Sequence, residues 1–467
     1  MLELRDVVLV SGRQGREKLL LRGASLRLRK SEIAMLCGLT ASDRRALQQL
    51  ITGKIRPNYG SVDAGVDVLV RDMGDVADFD ANSASALQDH TVILLTSAQP
   101  VATPGVRTFG VHGGEFIPVG ASPQPRSTRM DSAELYGRIE AELTDAGTPA
   151  ESARAVARAL VDADERGHAS HGVGLLPIYL HRIAAGGIVA DAQPILTAVA
   201  PAVASIDAAG GPGQVAADRA ARWCAETAAS RGLAAVAVHN NNHVGMLAAY
   251  RQPFQDHQVV GLLLNISGPS VAAPGARRAT LGSNAMCLVT PGRPGDEPFC
   301  LDMGTGVVAA GKIRDASNRG ASVPDGWLQD PDGRPTRDPA QLDAGGSIPL
   351  FGGYKGLCTT LLIEILAGAL AGGLVSPHVR KQRKQSDAVM RCSQLFVGFS
   401  VEHFSGIGDR PDIPDLVQTL RRAVANGYDS LPEQPWFPDQ AERRHTELVR
   451  STGIPISASV LEELGWR

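Results

Sequence analysis

Histidines are the first residues to question for chemistry, because an imidazole with an unperturbed pKa near ~6.5 both accepts and donates a proton around neutrality. His243 closes the run Val238-His239-Asn240-Asn241-Asn242-His243 behind a strand pattern that begins at Leu233. Such a strand end presents a side chain at a cleft; the plainer alternative is a loop histidine satisfied by its asparagine neighbours. His171, in Ser170-His171-Gly172-Val173, either lines a site or bonds a free carbonyl at a helix end. Ser267, in Asn265-Ile266-Ser267, has a hydroxyl that can donate to and accept from a polar ligand, or can serve an ordinary turn. Lys355 stands in the glycine-rich turn Gly352-Gly353-Tyr354-Lys355-Gly356, where it has little packing to do and its ammonium can face an anion. Asp302, in Asp302-Met303-Gly304-Thr305, can accept from hydroxyls or merely cap the helix that follows.

One phosphate-binding pattern is incomplete. Gly211-Pro212-Gly213-Gln214-Val215-Ala216 reads G-x-G-x-x-A between a strand pattern at Val203–Asp207 and a helix pattern through Ala229. A dinucleotide fingerprint also needs an acidic residue about 20 positions on, closing the next strand. That strand ends at Asn240 without one, so the turn reads as structural. The six cysteines form no C-x-x-C pair and no ligand spacing, so reduced, mostly buried thiols and no metal are expected.

The elements that must carry these groups fill 467 residues, enough for two or three domains. A Pro/Ser/Gly-rich stretch marks a linker over 121–130, between a first piece, 1–120, and a second, 131–467. Asp131-Ser132-Ala133-Glu134 caps a helix with Leu135, Ile139 and Leu143 on one face. Thr148 is expected to cap the next, with Pro149 at its first position. The apolar run Leu357–Val375 carries Glu364 near its middle, at a cost of roughly 2.5–3.5 kcal/mol in a bilayer, so a buried helix is expected rather than membrane insertion. Its Gly368, Gly372 and Gly373 would admit another helix. A formal charge of −3 gives no field to recruit nucleic acid, which leaves a small-molecule substrate as the default partner. The basic cluster Arg380–Lys384 reads as a solvated loop without function. The N-terminus has no secretory pattern, and a cytoplasmic location is expected.

The first piece alternates apolar runs Leu2–Val10, Leu19–Leu28 and Glu32–Gly38, then a helix ending near Gly53. This order resembles the opening of an ABC-transporter nucleotide-binding domain. The expected G-x-x-x-x-G-K-[ST] loop here reads Gly38-Leu39-Thr40-Ala41-Ser42-Asp43-Arg44-Arg45, with a carboxylate in place of the second glycine. Ser97 stands where that family has a switch histidine. The resemblance therefore implies a truncated, non-hydrolysing α/β relic with a docking or solubility role; the alternative is unrelated small α/β structure.

The second piece contains, in order, Ser170-His171-Gly172-Val173, Tyr179 and Arg182, Asn242-His243-Val244-Gly245, Asn265-Ile266-Ser267, Gly282-Ser283-Asn284, Asp302-Met303-Gly304-Thr305, Gly326-Trp327 and Gly353-Tyr354-Lys355. Together they resemble the type 2 malate/L-lactate dehydrogenases, over essentially the whole piece. The resemblance implies an α/β fold whose nucleotide site is a non-Rossmann mixed sheet with helical segments, and a homodimer. It also implies hydride transfer between NAD(P)H and a 2-oxo/2-hydroxy acid or cyclic 2-imino acid, with NAD and NADP undecided. In that family His243 corresponds to the proton-transferring histidine, and His171 and Ser267 to substrate contacts. Asp302, Met303, Gly304 and Lys355 correspond to the cofactor site. The family's S-H-G-V-x-R arginine, which pairs with the substrate carboxylate, is Leu175, and its P-G-E is Pro438-Asp439-Gln440. Such departures leave a second expectation open, an inactive scaffold built from two relics.

Overall fold

The structure, a computed structural model, describes residues 2–11, 18–28, 33–37, 41–51, 59–64, 68–74, 91–96, 106–112, 115–118, 128–318, 320–405, 412–426 and 437–466. It divides into two compact units, one of residues 1–126 with 420–437 and one of residues 127–419 with 438–467. In the first unit the apolar runs form β1 (Leu2–Ser11), β2 (Lys18–Leu28) and β3 (Ile33–Cys37), followed by α1 (Ala41–Ile51). Five further strands follow: β4 (Tyr59–Ala64), β5 (Val68–Gly74), β6 (Thr91–Thr96), β7 (Val106–His112) and β8 (Glu115–Pro118). An antiparallel sheet has the order β2-β1-β4; the other, β5-β6-β3-β7-β8, is parallel except for its last pair. Leu47, Leu50 and Ile51 form the buried face of α1. Gly38 to Thr40, the side chain of Asp43, Ser97 and residues 121–127 of the expected linker lie outside the described residues.

The second unit opens on β9 (Thr128–Met130), which pairs with the late strand Ile454–Ile456, so the last residues of the expected linker are part of this unit. Helices α2 (Ser132–Asp145), α3 (Ala150–Glu165) and α4 (Leu176–Ala184) build an apolar core with Leu135, Ile139 and Leu143 on the expected face. Asp131 caps α2 as expected, accepting from the Ala133 amide at 2.8 Å. Thr148 does not cap α3: Pro149 holds that position, and the Thr148 hydroxyl is buried without a hydrogen-bond partner.

The centre of this unit is a seven-stranded mixed sheet. Its strands are β10 (Ile195–Ala200), β11 (Val203–Asp207), β12 (Leu233–Asn241), β13 (Val259–Asn265), β14 (Ala285–Thr290), β15 (Phe299–Gly304) and β16 (Cys392–Ser400), in the order β10-β11-β12-β16-β13-β14-β15. Ala234, Val236 and Val238 are buried at the two-residue period of a strand with one face on the core. Against that face lies α5 (Gly213–Arg231), whose Ala216, Ala217, Ala220, Ala221, Cys224, Ala225 and Ala228 are fully buried. The small side chains let helix and sheet approach closely. A Cβ on Gly398 of β16 would stand 2.8 Å from that of Ala228. Core density here comes from alanine rather than aromatic bulk, which explains the 4 % aromatic content.

Two later helices, α6 (Ala310–Asn318) and α7 (Tyr354–Ile363), frame the remaining turns, and α7 continues into a π-helical stretch, Glu364–Leu370. The expectation of a buried helix over this apolar run is corrected: Leu362, Ile365 and Leu370 face solvent. The opposite side is rooted by Glu364, which accepts from Asn284 Nδ2 at 2.7 Å and the Ser376 amide at 2.9 Å. Gly373 gives room to Ser393 of β16 rather than to another helix. Among the described residues, no helix is long and apolar enough to cross a membrane.

Candidate active site

Strands β12 and β13 flank β16, both antiparallel to it, and therefore end at the same edge of the sheet. A chain of amides ties that edge together: Asn241 Nδ2 donates to Gln394 Oε1 at 2.8 Å, and Gln394 Nε2 donates to Asn265 Oδ1 at 2.9 Å. His243 and Ser267 each follow two residues after one of these asparagines. Helix α4 brings Tyr179, whose hydroxyl lies 2.8 Å from His243 Nδ1, and α5 brings Gln214, whose Nε2 donates to the same hydroxyl at 3.0 Å. The His171 ring stacks on His243 with centroids 5.8 Å apart and planes 20° apart, its Nδ1 2.9 Å from Ser170 Oγ. Thus the two sequence-predicted histidines meet.

Removal from water pushes His243 down to about 4, helped by the charges of Arg383 and Arg182. His171 falls to about 3 from burial and from the neighbouring His243 and His168. Both rings are therefore neutral at pH 7. Burial raises the Tyr179 phenol, so it is no proton source near neutrality. Gln214 donates to the phenol oxygen and the phenol pairs with Nδ1, so Nε2 is the ring nitrogen of His243 left for a substrate. Tyr179→Phe should lower turnover roughly tenfold, the worth of about one net hydrogen bond, without unfolding the protein. Steady-state kinetics beside a melting curve checks both statements.

The glycine-rich turn proves to be a support for His243. A Cβ on Gly213 would overlap the carbonyls of Asn242 and His243, and Asn242 Nδ2 donates to the Gly210 and Gly211 carbonyls at 2.8 and 3.0 Å. Sequence reasoning passed over Gln214, in that turn, and Asp164, which carries no motif of its own. Asp164 is buried against the S-H-G turn, accepting from the Val173 amide at 2.7 Å, and leaves no space for a side chain on Gly172. Burial raises its carboxyl from 3.8 to about 7, with the Val173 bond opposing. The folded state therefore holds a proton that the unfolded chain releases above about pH 4. Stability from this group is complete below that pH and declines as pH rises to 7, by on the order of 4 kcal/mol. Asp164→Asn should flatten that part of the curve of melting temperature against pH.

On the cofactor side, Asp302 Oδ2 accepts from the Ala248 amide at 2.8 Å, and burial raises its carboxyl. Met303 is exposed, and Gly304 lies against Ser283, whose Oγ accepts from the Gly306 amide at 3.2 Å. The Thr305 hydroxyl is buried without a partner. Bonds from Phe351 N to Thr305 O (3.0 Å) and from Val307 N to Pro349 O (2.9 Å) set this segment beside the turn at Gly352 and Gly353, both at positive φ. Lys355 is exposed in the first turn of α7. Gly311 of α6 packs on Ser170, completing a ring of contacts back to the histidines.

Asp439, which stands where the family's P-G-E has glycine, holds a left-handed backbone at φ 69° and pairs, buried, with Arg166 and with Arg443 at 2.8 Å. The conformation suits the glycine usual there; the carboxylate has gained a structural task. Leu175 is buried in the helical core, so no charge stands at that position. Among the described residues, no group of three His, Cys, Asp or Glu side chains could hold a metal.

A family model described as malate/L-lactate dehydrogenase matches residues 130–465. The chain belongs to the malate/L-lactate dehydrogenase family. A malate dehydrogenase of Pyrococcus abyssi is 31 % identical over 344 residues, 72 % of this chain and 93 % of that protein. A (2R)-3-sulfolactate dehydrogenase (NADP(+)) of Chromohalobacter salexigens is 34 % identical over 326 residues, 69 % of this chain and 93 % of its own. The solved Δ1-piperideine-2-carboxylate reductase of Pseudomonas syringae pv. tomato superposes with a TM-score of 0.64 at 27 % identity, covering 72 % of this chain and 98 % of that one. As a member of the malate/L-lactate dehydrogenase family, the chain is an oxidoreductase, with the mixed-sheet α/β fold of its structural neighbours.

Proposed function

We propose that the chain uses NAD(P)H to reduce, or NAD(P)+ to oxidise, a 2-oxo/2-hydroxy acid or cyclic 2-imino acid, with His243 exchanging the proton. The observation that carries this reading is the neutral His243 ring, fixed through Nδ1 by Tyr179 and stacked on His171. Bound nicotinamide would supply or accept the hydride at its C4. In oxidation, Nε2 of His243 takes the hydroxyl proton; in reduction the same nitrogen returns a proton to the oxygen or imine nitrogen. His171 and Ser267 flank the reacting centre and orient the substrate.

Asp302, Met303, Gly304 and Lys355 would hold the dinucleotide. In support, the buried Thr305 hydroxyl lacks a partner, and Lys355 sits at the positive end of a ten-residue helix after two glycines with positive φ. No residue commits the site to a 2′-phosphate, so either nucleotide is admitted. The apolar face of Leu362, Ile365 and Leu370 suits a second copy of the chain, in a homodimer. Residues 1–120 we read as a non-hydrolysing ABC-like relic available for docking to a protein partner, in a cytoplasmic protein. The strand order around β3 and the helix after it favour that reading.

The test is a reductase screen with 2-oxo acids and cyclic imines, using NADH and NADPH in parallel. Saturable turnover with one member of the panel is expected. Failure of the full-length protein to bind either nucleotide, followed by nicotinamide fluorescence, would leave the inactive scaffold instead.

A further inference from the structure

With Leu175 buried among the helices, the site lacks the cation that the family places on a substrate carboxylate. A strap from Gln382 to Met390 carries another cation, Arg383, beside the residue that precedes His243. Arg182, one turn beyond Tyr179 on α4, donates from Nη1 to the carbonyls of Gln382 (3.2 Å) and Gln385 (2.9 Å). From Nη2 it donates to the carbonyls of Ala388 (2.9 Å) and Gly187 (2.9 Å) and to Asn242 Oδ1 (3.0 Å). The Met390 amide reaches that same Oδ1 at 3.1 Å. The residue before His243 is thus stitched to both ends of the strap, and Arg383 is carried between the stitches.

Arg383 is exposed, and among the described residues no hydrogen bond or ion pair engages it. After burial, its charge is the largest influence on His243, ahead of that of Arg182. Its own neighbours are Arg314 of α6, a second cation, and the carboxylates of Asp343 and Glu463. Arg314 touches Asp343 through Nη2 at 3.4 Å, yet its Nε is buried without a partner, as is Gln382 Oε1 next to Arg383. Two guanidinium groups of like charge set against each other, one of them acting on the neutral His243 ring, with a buried N–H of Arg314 left over, form a place that an anion completes.

We propose that Arg383 receives the substrate's carboxylate in place of the missing family arginine, which confines the substrates to acids whose carboxylate adjoins the reacting carbon. The proposal rests on the oxidoreductase reading above. One consequence couples binding to chemistry. A carboxylate on Arg383 cancels the charge that disfavours the protonated ring, so His243 becomes a better base once the substrate is in place.

The experiment compares wild type, Arg383→Gln, Arg383→Lys and, as a control on the same strap, Lys384→Ala. Binding of 2-oxopropanoate and of its uncharged amide, 2-oxopropanamide, is measured by calorimetry in the presence of NADH and of NADPH. Wild type and Lys384→Ala should favour the acid by roughly 10- to 100-fold, the worth of one charge-assisted pair. Arg383→Gln should lose that preference, and Arg383→Lys should keep part of it. The acid limb of kcat/KM for oxidation should also move to higher pH in Arg383→Gln, a change that a merely supporting strap residue would not cause. Preference for the acid that vanishes in Arg383→Gln, without turnover of any acid or imine by wild type, would remove the oxidoreductase reading and keep the anion site. Equal binding of acid and amide by wild type, binding of neither, or an undiminished preference in Arg383→Gln overturns the proposal.

Discussion

His243→Ala should lower turnover roughly 100- to 10,000-fold in either direction, the contribution of one positioned acid–base group. The loss should fall on kcat, with nucleotide affinity close to wild type, because the residues proposed to hold the dinucleotide are carried by other segments, Asp302–Gly304 and the α7 turn. The pH profile gives a second signature. Oxidation requires the neutral ring, whose pKa of about 4 sets an acid limb near that pH in the free enzyme. Residual activity of the variant should show no such limb. Stopped-flow measurement of nicotinamide absorbance over pH 3.5–8 checks both, and a variant with wild-type rates would end the assignment. A separate readout guards against misfolding: the Tyr179–Gln214 bond does not depend on the imidazole, so thermal stability should change little.

Much of this arrangement was legible in the sequence, and the parts that were not have a common physical cause. Periodic apolar spacing placed α2 with its buried stripe, and the missing acidic residue after Asn240 identified the Gly211–Gly213 turn as structural. Local patterns report local conformation well. They fail where the deciding partner is distant in the chain. Tyr179 and Gln214 were separated by a loop and a hairpin, and nothing local links a phenol on one helix to an amide on another. Arg380–Lys384 is largely exposed, as expected, but the anchor that holds it, Arg182, lies some 200 positions away and could not be read locally. Position 439 misled for a related reason. An aspartate where glycine is usual reads only as a departure from the motif, until two arginines close around its carboxylate. The apolar run after Leu357 defeated a composition argument in the opposite sense, since hydropathy cannot say which face of a helix the fold leaves uncovered.

The second large effect is expected from Arg182→Met. Arg182 is 1 % exposed and its guanidinium bonds five oxygens, four of them backbone carbonyls, with no carboxylate among the described residues in direct contact. Burying a cation among neutral acceptors is unfavourable in itself, and removal from water does lower its pKa. The arrangement is stable because each N–H direction it uses meets an oxygen, which lysine with its single ammonium could not reproduce. Methionine fills similar volume but strands those carbonyls, so a loss of roughly 3–5 kcal/mol is expected, read as a lower denaturation midpoint in urea. Function should suffer beyond stability, because the same side chain holds Asn242, and through it His243, against the strap that carries Arg383. Once folded at low temperature, the variant should bind a small 2-oxo acid weakly while keeping its affinity for the nucleotide. Its acid limb for oxidation should shift upward, since one of the two charges that keep His243 neutral is gone. A variant that lost stability but kept wild-type acid binding and pH dependence would show that the strap and the histidine are held together by something other than this arginine.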